Sequence, residues 1–487
     1  MPEIRVRFAP SPTGELHIGG ARTALFNYLF VRSTGGTFVL RIDDTDIERS
    51  RLDYSDKLIA SMRWIGLDWD EGPFYQSKRL DQYSGEAGRL LAEKKAYHCY
   101  CSINDLAAGR EEARKNNRAY LYPGSCRNLS PEEEKSFKEE GKAPVIRLIT
   151  PDHGVTVVED EIRGEVSFDN ANLDDFIIIK SNGLPTYNFA NVVDDQQMGI
   201  THVIRAEEHL SNTPRQLLCA AALGYKLPRF AHVPMILAPD RSKLSKRHGA
   251  TSVEEFRREG YLPEALINYM ALLGWSPGSD QEMFTIKELI SDFTLKRVNK
   301  TAAIYDINKL AWMNSHYIRE YDLDKLAEAA LPFYVEKNLI KADVSGSDYD
   351  YYKLVITSVR ERARTLIELA DASIYFFTNQ YSYDEKGVSK HFTKEDTAML
   401  LRRAAGELQS IEPFNSETTE MKYIDLSEEL GISAGRLIHP TRLALTGRTG
   451  GPGLFAIMAL LGPEITVERL NKAADYIDTL QQKPKNK

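Results

Sequence analysis

Ile4-Arg5-Val6-Arg7-Phe8-Ala9-Pro10-Ser11-Pro12-Thr13-Gly14-Glu15-Leu16-His17-Ile18-Gly19-Gly20 opens the chain with a strand, a broken loop and the start of a helix. Apolar and basic side chains alternate from Ile4 to Phe8, which is the period of a strand. Two prolines and Gly14 interrupt it. A helical stretch follows, with Ala21, Leu25 and Tyr28 or Leu29 on one face. Thr37 to Ile42 reads as a second strand, and Leu52 to Ile65 as another helix. Strand, loop, helix and strand in this order predict a right-handed parallel βαβ unit, and with it an α/β fold.

Further along, residues 98–150 hold three cysteines, charge runs such as Glu111-Glu112-Ala113-Arg114-Lys115, and little periodicity. Phe176 to Lys180 is a short apolar strand. Thr201 to Ile204 and Met235 to Leu237 read as buried strands, with an amphipathic helix at Thr213 to Leu223 between them. These elements predict a sheet begun at the N-terminus, interrupted by an insertion and completed near residue 240. Helices dominate after residue 250. Pro263 to Leu273 has proline in its first turn and Gly274 just past its end. Thr466 is a candidate cap for a closing helix whose Val467, Leu470, Ala474 and Ile477 form one stripe.

A chain of 487 residues exceeds what one core supports and predicts two to four domains. Its 42% hydrophobic and 27% charged residues exclude disordered and fibrous classes. No apolar run is long enough to span a bilayer, and the N-terminus is no signal peptide, so the expected location is cytoplasmic. The net charge of −8 argues weakly against a nucleic-acid partner, because local patches decide phosphate affinity.

Two such local features stand out. In an open parallel sheet, ligands bind beyond the carboxyl ends of the strands, and a helix N-terminus there attracts phosphate. Gly19 and Gly20 would let a base or phosphate approach the backbone. His17, as a cation or a hydrogen-bond donor, would stabilise charge on a reacting phosphate. Taken alone, the segment is equally a glycine-rich turn with a chance histidine. The second feature, Asp240-Arg241-Ser242-Lys243-Leu244-Ser245-Lys246-Arg247-His248-Gly249, concentrates cations just after the last sheet strand. Lys243 and Lys246 could meet the phosphates of ATP; a solvated basic loop is the plain alternative.

Together these segments resemble a known family. HIGG at 17–20 and KLSKR at 243–247 are similar to the two signatures of class I aminoacyl-tRNA synthetases. Residues 9–14 (APSPTG), 41–46 (RIDDTD), 187–195 (YNFANVVDD) and 205–209 (RAEEH) resemble the glutamyl branch of bacterial type, as do Leu445-Thr446-Gly447 and Pro452-Gly453-Leu454-Phe455. The resemblance covers essentially the whole chain. It implies ATP-dependent activation of L-glutamate to glutamyl-adenylate, then transfer to the terminal ribose of tRNA-Glu, with tRNA-Gln as an open second acceptor. Mg²⁺ accompanies the ATP.

The implied architecture is a Rossmann-type parallel-sheet catalytic domain in two halves (1–80 and 192–240), interrupted by an α+β acceptor-end domain (81–191). A stem-contact region (241–322) carrying the KLSKR loop and an all-helical anticodon-binding domain (323–487) follow. Implied catalytic residues are His17, Lys243 and Lys246. ATP would be bound by Ser11, Thr13, Gly14, His17, Gly19, Gly20, Lys243, Leu244, Ser245, Lys246 and Arg247. Glutamate would be bound by Arg7, Ala9, Ser11, Asp43, Tyr187, Asn191 and Arg205, arginine forks suiting carboxylates. Asp43 departs from the glutamate that many members carry, so its contact with the substrate ammonium would run through water or a shifted backbone.

Cys99, Cys101 and Cys126 match a family zinc site, but Asn128 stands where a histidine would complete it. Zinc completed by His98 or water, and a lost site, both remain open. Cys219, in an apolar helix, reads as core. Arg360, Arg362 and Arg364, and then Arg436 and Arg442, are the implied tRNA contacts, against solvated arginines as the plain reading. The family expectation is a monomer. A small-molecule nucleotidyltransferase would not need the helical half, and a glutaminyl enzyme would end in β-barrels.

Overall fold

The computed structural model describes residues 3–45 and 52–482. It divides into two compact units, Met1–Phe256 with Pro263–Ile307, and Arg257–Leu262 with Asn308–Lys487. The first unit opens with β1 (Arg5–Phe8), α1 (Ile18–Thr34), β2 (Thr37–Ile42), α2 (Leu52–Trp64), β3 (Glu71–Tyr75) and α3 (Leu80–Ala92). β4 (Ala96–Cys99), α4 (Ala107–Lys115), α5 (Pro131–Glu139), β5 (Val145–Leu148), β6 (Val155–Asp160), β7 (Gly164–Asp169) and β8 (Ile177–Ile179) come next. Then follow α6 (Tyr187–Gln197), β9 (His202–Ala206), α7 (Thr213–Leu223), β10 (Arg229–Val233), β11 (Ile236–Leu237) and, later, β12 (Ala303–Ile304).

The main sheet has seven strands in the order β3-β2-β1-β9-β10-β6-β7, all parallel except the β6–β7 pair. Strand order reverses direction between β1 and β9, which opens a crevice beyond their carboxyl ends. Helix α1 returns the chain from β1 to β2. It is buried almost all round, with Ala21, Leu25 and Leu29 among its core residues and Tyr28 only partly covered. Gly35 ends it at φ 68°, and a side chain on Gly36 would lie 2.1 Å from the carbonyl of Ile4. Only glycine fits that close return.

Two features depart from the sequence reading. Residues 155–169, expected inside the insertion, extend the main sheet through Phe230 beside Asp160. The insertion's own sheet is the antiparallel β4-β5-β8 set. Met235–Leu237 does not complete the main sheet: β11 pairs with β12 in a separate ribbon, and β10 is the last parallel strand. Both pairings join distant residues, so local periodicity carried no sign of them. Cys219 is fully buried among Phe189, Val193 and Leu223, as expected of a core thiol.

The second unit is helical throughout its described length. Its last helix, Leu454–Gln482, bends at Gly462 (φ 78°), and Pro463 restarts it. Thr466 therefore lies inside the helix, its buried hydroxyl without a partner among the described residues, and does not cap it. The predicted stripe is nonetheless inward, with Leu470, Ala474 and Ile477 buried and Val467 half-buried. No helix among the described residues is long and apolar enough to cross a membrane.

Candidate functional site

A cavity of about 540 Å³ occupies the crevice beyond β1 and β9. Arg7, Ala9, Ser11, Thr13, Gly14, His17, Gly19, Gly20, Tyr187, Asn191, Arg205, Lys243 and Leu244 line it. The sequence reading had selected all of these. Asp43, Ser245 and Arg247 do not line it, and the side chain of Lys246 lies outside the described part of the structure.

Backbone bonds stitch the first signature segment to the residues just after the second. Ile18 N–H donates to Thr251 O at 2.8 Å, and Val253 N–H to Leu16 O at 2.9 Å. His17 is the N-cap of α1, its Nδ1 accepting from Gly19 N–H at 3.2 Å. A neutral ring that accepts at Nδ1 must carry its proton on Nε2. Desolvation by the surrounding walls lowers the pKa of His17, helped by Lys243 and opposed by Glu255 and Glu208. His17 thus faces the cavity as a neutral donor. Since Ile18 and Gly19 have already placed their N–H groups, anion attraction at this helix end is left to the Gly20 N–H, the dipole and the His17 Nε2–H.

Opposite, the basic loop folds on itself. Ala238 N–H donates to Ser242 O at 2.9 Å, and Ser242 N–H to Asp240 Oδ1 at 2.9 Å. Arg247 turns inward to Ser242 Oγ (3.1 Å) and His248 Nε2 (3.0 Å), which explains why it does not reach the cavity. Lys243 is exposed, makes no ion pair among the described residues, and is near enough to depress His17.

Beneath the cavity lies a dense set of buried charges. Asp195 holds Arg7 Nε at 3.1 Å and Arg41 Nη1 at 2.7 Å. Asp194 takes Arg79 Nε, Gln76 Nε2 and Tyr83 Oη, each at 2.8 Å. Asp43 is turned away from the cavity: Arg41 Nε donates to it at 2.7 Å and Asn191 Nδ2 at 2.9 Å. Its shorter side chain is consumed by Arg41, so it reaches the cavity only by orienting Asn191. Its neighbour Asp44 accepts from Ser77 N–H and Oγ, and Asp46 lies outside the described residues. Tyr187 Oη lies 3.2 Å from His209 Nδ1, and burial pushes the His209 pKa down to about 4.

Arg205 is different. It is buried, burial lowers its pKa to about 10, and it forms no ion pair among the described residues. Its partners are neutral, namely His232 Nε2 at 3.0 Å and Thr213 Oγ1 at 2.8 Å. Arg22 also lines the cavity, and the sequence reading missed it. Its fork donates to the carbonyls of Leu273 (2.9 Å) and Pro234, and burial lowers its pKa to about 10. An arginine set between apolar residues on both sides of a helix was the available sign. Asp195, the second acid of Asn191-Val192-Val193-Asp194-Asp195, was also overlooked in its role of holding Arg7.

In the insertion, the Sγ atoms of Cys99, Cys101 and Cys126 lie within 4.8 Å of one another. Tyr122 Oη sits among them, 3.4 Å from Cys99 Sγ and 3.7 Å from Cys101 Sγ. His98, on the other face of β4, is 3.8 Å from Glu134. In the helical unit, Arg360 donates to the carbonyls of Arg319 and Tyr321, Arg364 to Glu368 (2.8 Å), and Arg436 to Asp396. Arg442 donates to the carbonyl of Pro452 and Arg448 to that of Asp371, while Arg362, Arg442 and Arg448 all lie near enough to oppose the rise that burial imposes on the Tyr375 pKa; the buried Tyr375 hydroxyl has no hydrogen-bond partner among the described residues.

Comparison with known proteins follows this division. Residues 3–312 match the family described as class I tRNA synthetases (E and Q), catalytic domain, and residues 325–474 match an anticodon binding domain. The chain is 58% identical to glutamate–tRNA ligase 2 of Thermoanaerobacter pseudethanolicus over 99% of its own length and 100% of the relative's. It is 57% identical to the glutamate–tRNA ligase of Moorella thermoacetica over 98% of this chain and 99% of that one. The crystal structure of a glutamate–tRNA ligase from Elizabethkingia meningosepticum, in complex with its amino acid, superposes with a TM-score of 0.88 at 35% identity, covering 98% of this chain and 100% of that one.

Proposed function

The chain belongs to the glutamate–tRNA ligases, class I aminoacyl-tRNA synthetases, and from that premise we propose how its own residues divide the work. The reaction activates glutamate with ATP and transfers it to tRNA. The glutamate α-carboxylate attacks the α-phosphate and pyrophosphate leaves; a hydroxyl of the terminal ribose then attacks the acyl carbon of the adenylate, and AMP leaves with the bond that breaks. No protein nucleophile is needed, so the protein's contribution is alignment and stabilisation of phosphate charge.

One observation carries the residue assignment. Arg205 is a buried guanidinium that faces the cavity with no carboxylate of its own. A buried cation ordinarily requires a counter-charge, and the substrate supplies one. Arg205 therefore binds a glutamate carboxylate, with Arg7 beside it and Ala9, Ser11, Tyr187 and Asn191 shaping the pocket. Asp43 acts on the substrate only through Asn191.

The neutral Nε2–H of His17 and the free ammonium of Lys243 face the same space from opposite sides, which suits them to the ATP phosphates. Thr13, Gly14, Gly19, Gly20 and Leu244 form the nucleotide walls. Lys246 is assigned by its place in the KLSKR segment. Ser245 and Arg247 hold that loop's shape. Mg²⁺ neutralises phosphate charge when it arrives with ATP. Among the described residues, only the thiol cluster groups metal-ligating side chains, and thiols do not suit magnesium, so the nucleotide itself holds that ion.

The thiol cluster suits zinc. Tetrahedral zinc with bonds of about 2.3 Å needs sulfurs roughly 3.8 Å apart, and Cys99, Cys101 and Cys126, whose sulfurs lie within 4.8 Å of one another, would supply three of its ligands. Metal analysis should find about one zinc per chain, lost in Cys126→Ser; a chain that purifies without zinc would remove this assignment.

In the helical half, Arg362 and Arg442 are the arginines we assign to tRNA, while Arg360, Arg364 and Arg436 serve the fold. The domain limits 1–80 with 192–240, 81–191, 241–322 and 323–487, a monomeric state and a cytoplasmic location complete the proposal. Glutamate-dependent ATP–pyrophosphate exchange, with and without tRNA-Glu or tRNA-Gln, tests it. Lys246→Ala should abolish exchange while tRNA binding persists. No exchange by the unaltered chain under any condition, or an active Lys246→Ala, would sink the assignment.

A further inference from the structure

Two of the side chains that hold Arg205, His232 and Thr213, lie outside the cavity. His232 stands beside Arg205 in register, on the neighbouring strand β10. Its Nε2 accepts from Arg205 Nε at 3.0 Å and lies 3.1 Å from Thr213 Oγ1. A ring nitrogen that accepts from a guanidinium must present a lone pair, so the single proton of the neutral imidazole sits on Nδ1. There Asp160 Oδ2 accepts it at 2.6 Å. Asp160 is pinned in turn by the N–H groups of Ile162 (3.0 Å), Arg163 (2.8 Å) and His232 (3.0 Å). A carboxylate, an imidazole and a guanidinium thus run in a line across the adjacent strands β6, β10 and β9.

We propose that Asp160 and His232 are positioning residues for glutamate binding, which aim Arg205 and supply its counter-charge at one remove. The contrast with Arg7 gives the reason. Asp195 touches Arg7 directly, which spends part of its fork and neutralises it on the spot. Through His232, Asp160 polarises Arg205 without touching it, because each hydrogen bond in such a chain strengthens the next. The side of the fork facing the cavity stays available for a carboxylate. The line also explains why β6, which carries none of the residues around the cavity, belongs to the main sheet rather than to the insertion.

This inference rests on the reading of Arg205 as a carboxylate binder, and the test separates the two. KM for glutamate, KM for ATP and kcat are measured by ATP–pyrophosphate exchange with tRNA present. His232→Leu removes the acceptor and should raise the glutamate KM by about 10- to 100-fold, with the ATP KM unchanged within about twofold. His232→Gln can place an oxygen near the position of Nε2 and should recover most of that loss. Asp160→Asn, which keeps an acceptor but removes the charge, should fall between them. In the background of Arg205→Lys, His232→Leu should add nothing, since coupled residues are not additive.

Parallel rises in both KM values, a Gln variant no better than Leu, or full additivity in the double variant would each overturn the relay. Should the Leu variant fail to fold, Gln and Asn carry the same test. An unchanged glutamate KM in Arg205→Lys would instead remove the assignment of Arg205, and the relay with it. A raised KM there with silent His232 variants would remove the relay alone.

Discussion

The two compact units treat charge in opposite ways. Around its cavity the first unit buries Arg7, Arg22, Arg41, Asp43, Asp160, Asp194, Asp195 and Arg205, while among the described residues the helical unit buries a single charged side chain, Arg469. The helical unit closes instead with aliphatic and aromatic side chains, such as Tyr334 against Tyr352 at 4.8 Å. Buried ion pairs are poor sources of stability, because desolvation cancels most of their attraction. The first unit keeps them to fix donors and acceptors in space for a small charged substrate. The helical unit, whose proposed partner is a large polyanion, leaves most of its arginines at the surface, where orientation is cheap to adjust. Buried charge marks the place where geometry must be exact to a fraction of an ångström.

The sharpest way to break this comparison is Asp194→Asn. Removing that charge leaves Arg79 without its ion-pair partner beside the buried Gln76 and Tyr83 donors, and should cost about 3–5 kcal/mol in denaturant unfolding. Tyr334→Phe in the other unit loses only a hydroxyl paired with Ser373 at 2.6 Å, and should cost about 1 kcal/mol. Equal losses would erase the distinction. Next in size, His17→Ala removes a donor at the phosphate site and should lower kcat by about 10²–10³; a smaller effect on kcat than on the ATP KM would make it a binding residue only. Arg442→Ala should raise the tRNA KM by about tenfold, with glutamate and ATP constants unchanged.

A further effect is on pH. Burial pushes the His202 pKa down to about 4, so the folded chain holds this ring neutral while the unfolded chain protonates it below about 6.5. The unfolded state then binds more protons, and stability should fall as pH drops from about 6.5 to 4, by at most about 1.4 kcal/mol per pH unit. His202→Phe should flatten that slope.

Much of the first unit was legible because its signals are local. The alternation in Arg5–Phe8, the limits of Thr37–Ile42 and the helix Thr213–Leu223 all follow from patterns a few residues long. The cavity walls were legible through resemblance, since spacing alone could not tell a nucleotide loop from a glycine-rich turn. Most of what stayed hidden depends on partners far along the chain, and the rest on side-chain turns that no periodic pattern encodes. β6 and β7 alternate only weakly, with few apolar residues, and their place in the sheet is set by Phe230. The direction in which Asp43 points is decided by Arg41, and the inward turn of Arg247 by Ser242 and His248. The hydroxyl of Tyr122 stands beside the thiols of Cys99 and Cys101, more than twenty residues away.

The strand order has a further consequence, for synthesis. β1 pairs with β2 on one edge soon after both emerge, but its other edge waits for His202, which stands opposite Val6. At 5–20 residues per second, a ribosome needs roughly 10 to 40 s to supply that partner. Through that interval the growing chain carries an unpaired parallel edge of Val6 and Phe8, residues that end fully or nearly fully buried. Chaperone capture and mispairing compete for that edge, so the stretch of chain between β2 and β9 sets a waiting time as well as a shape.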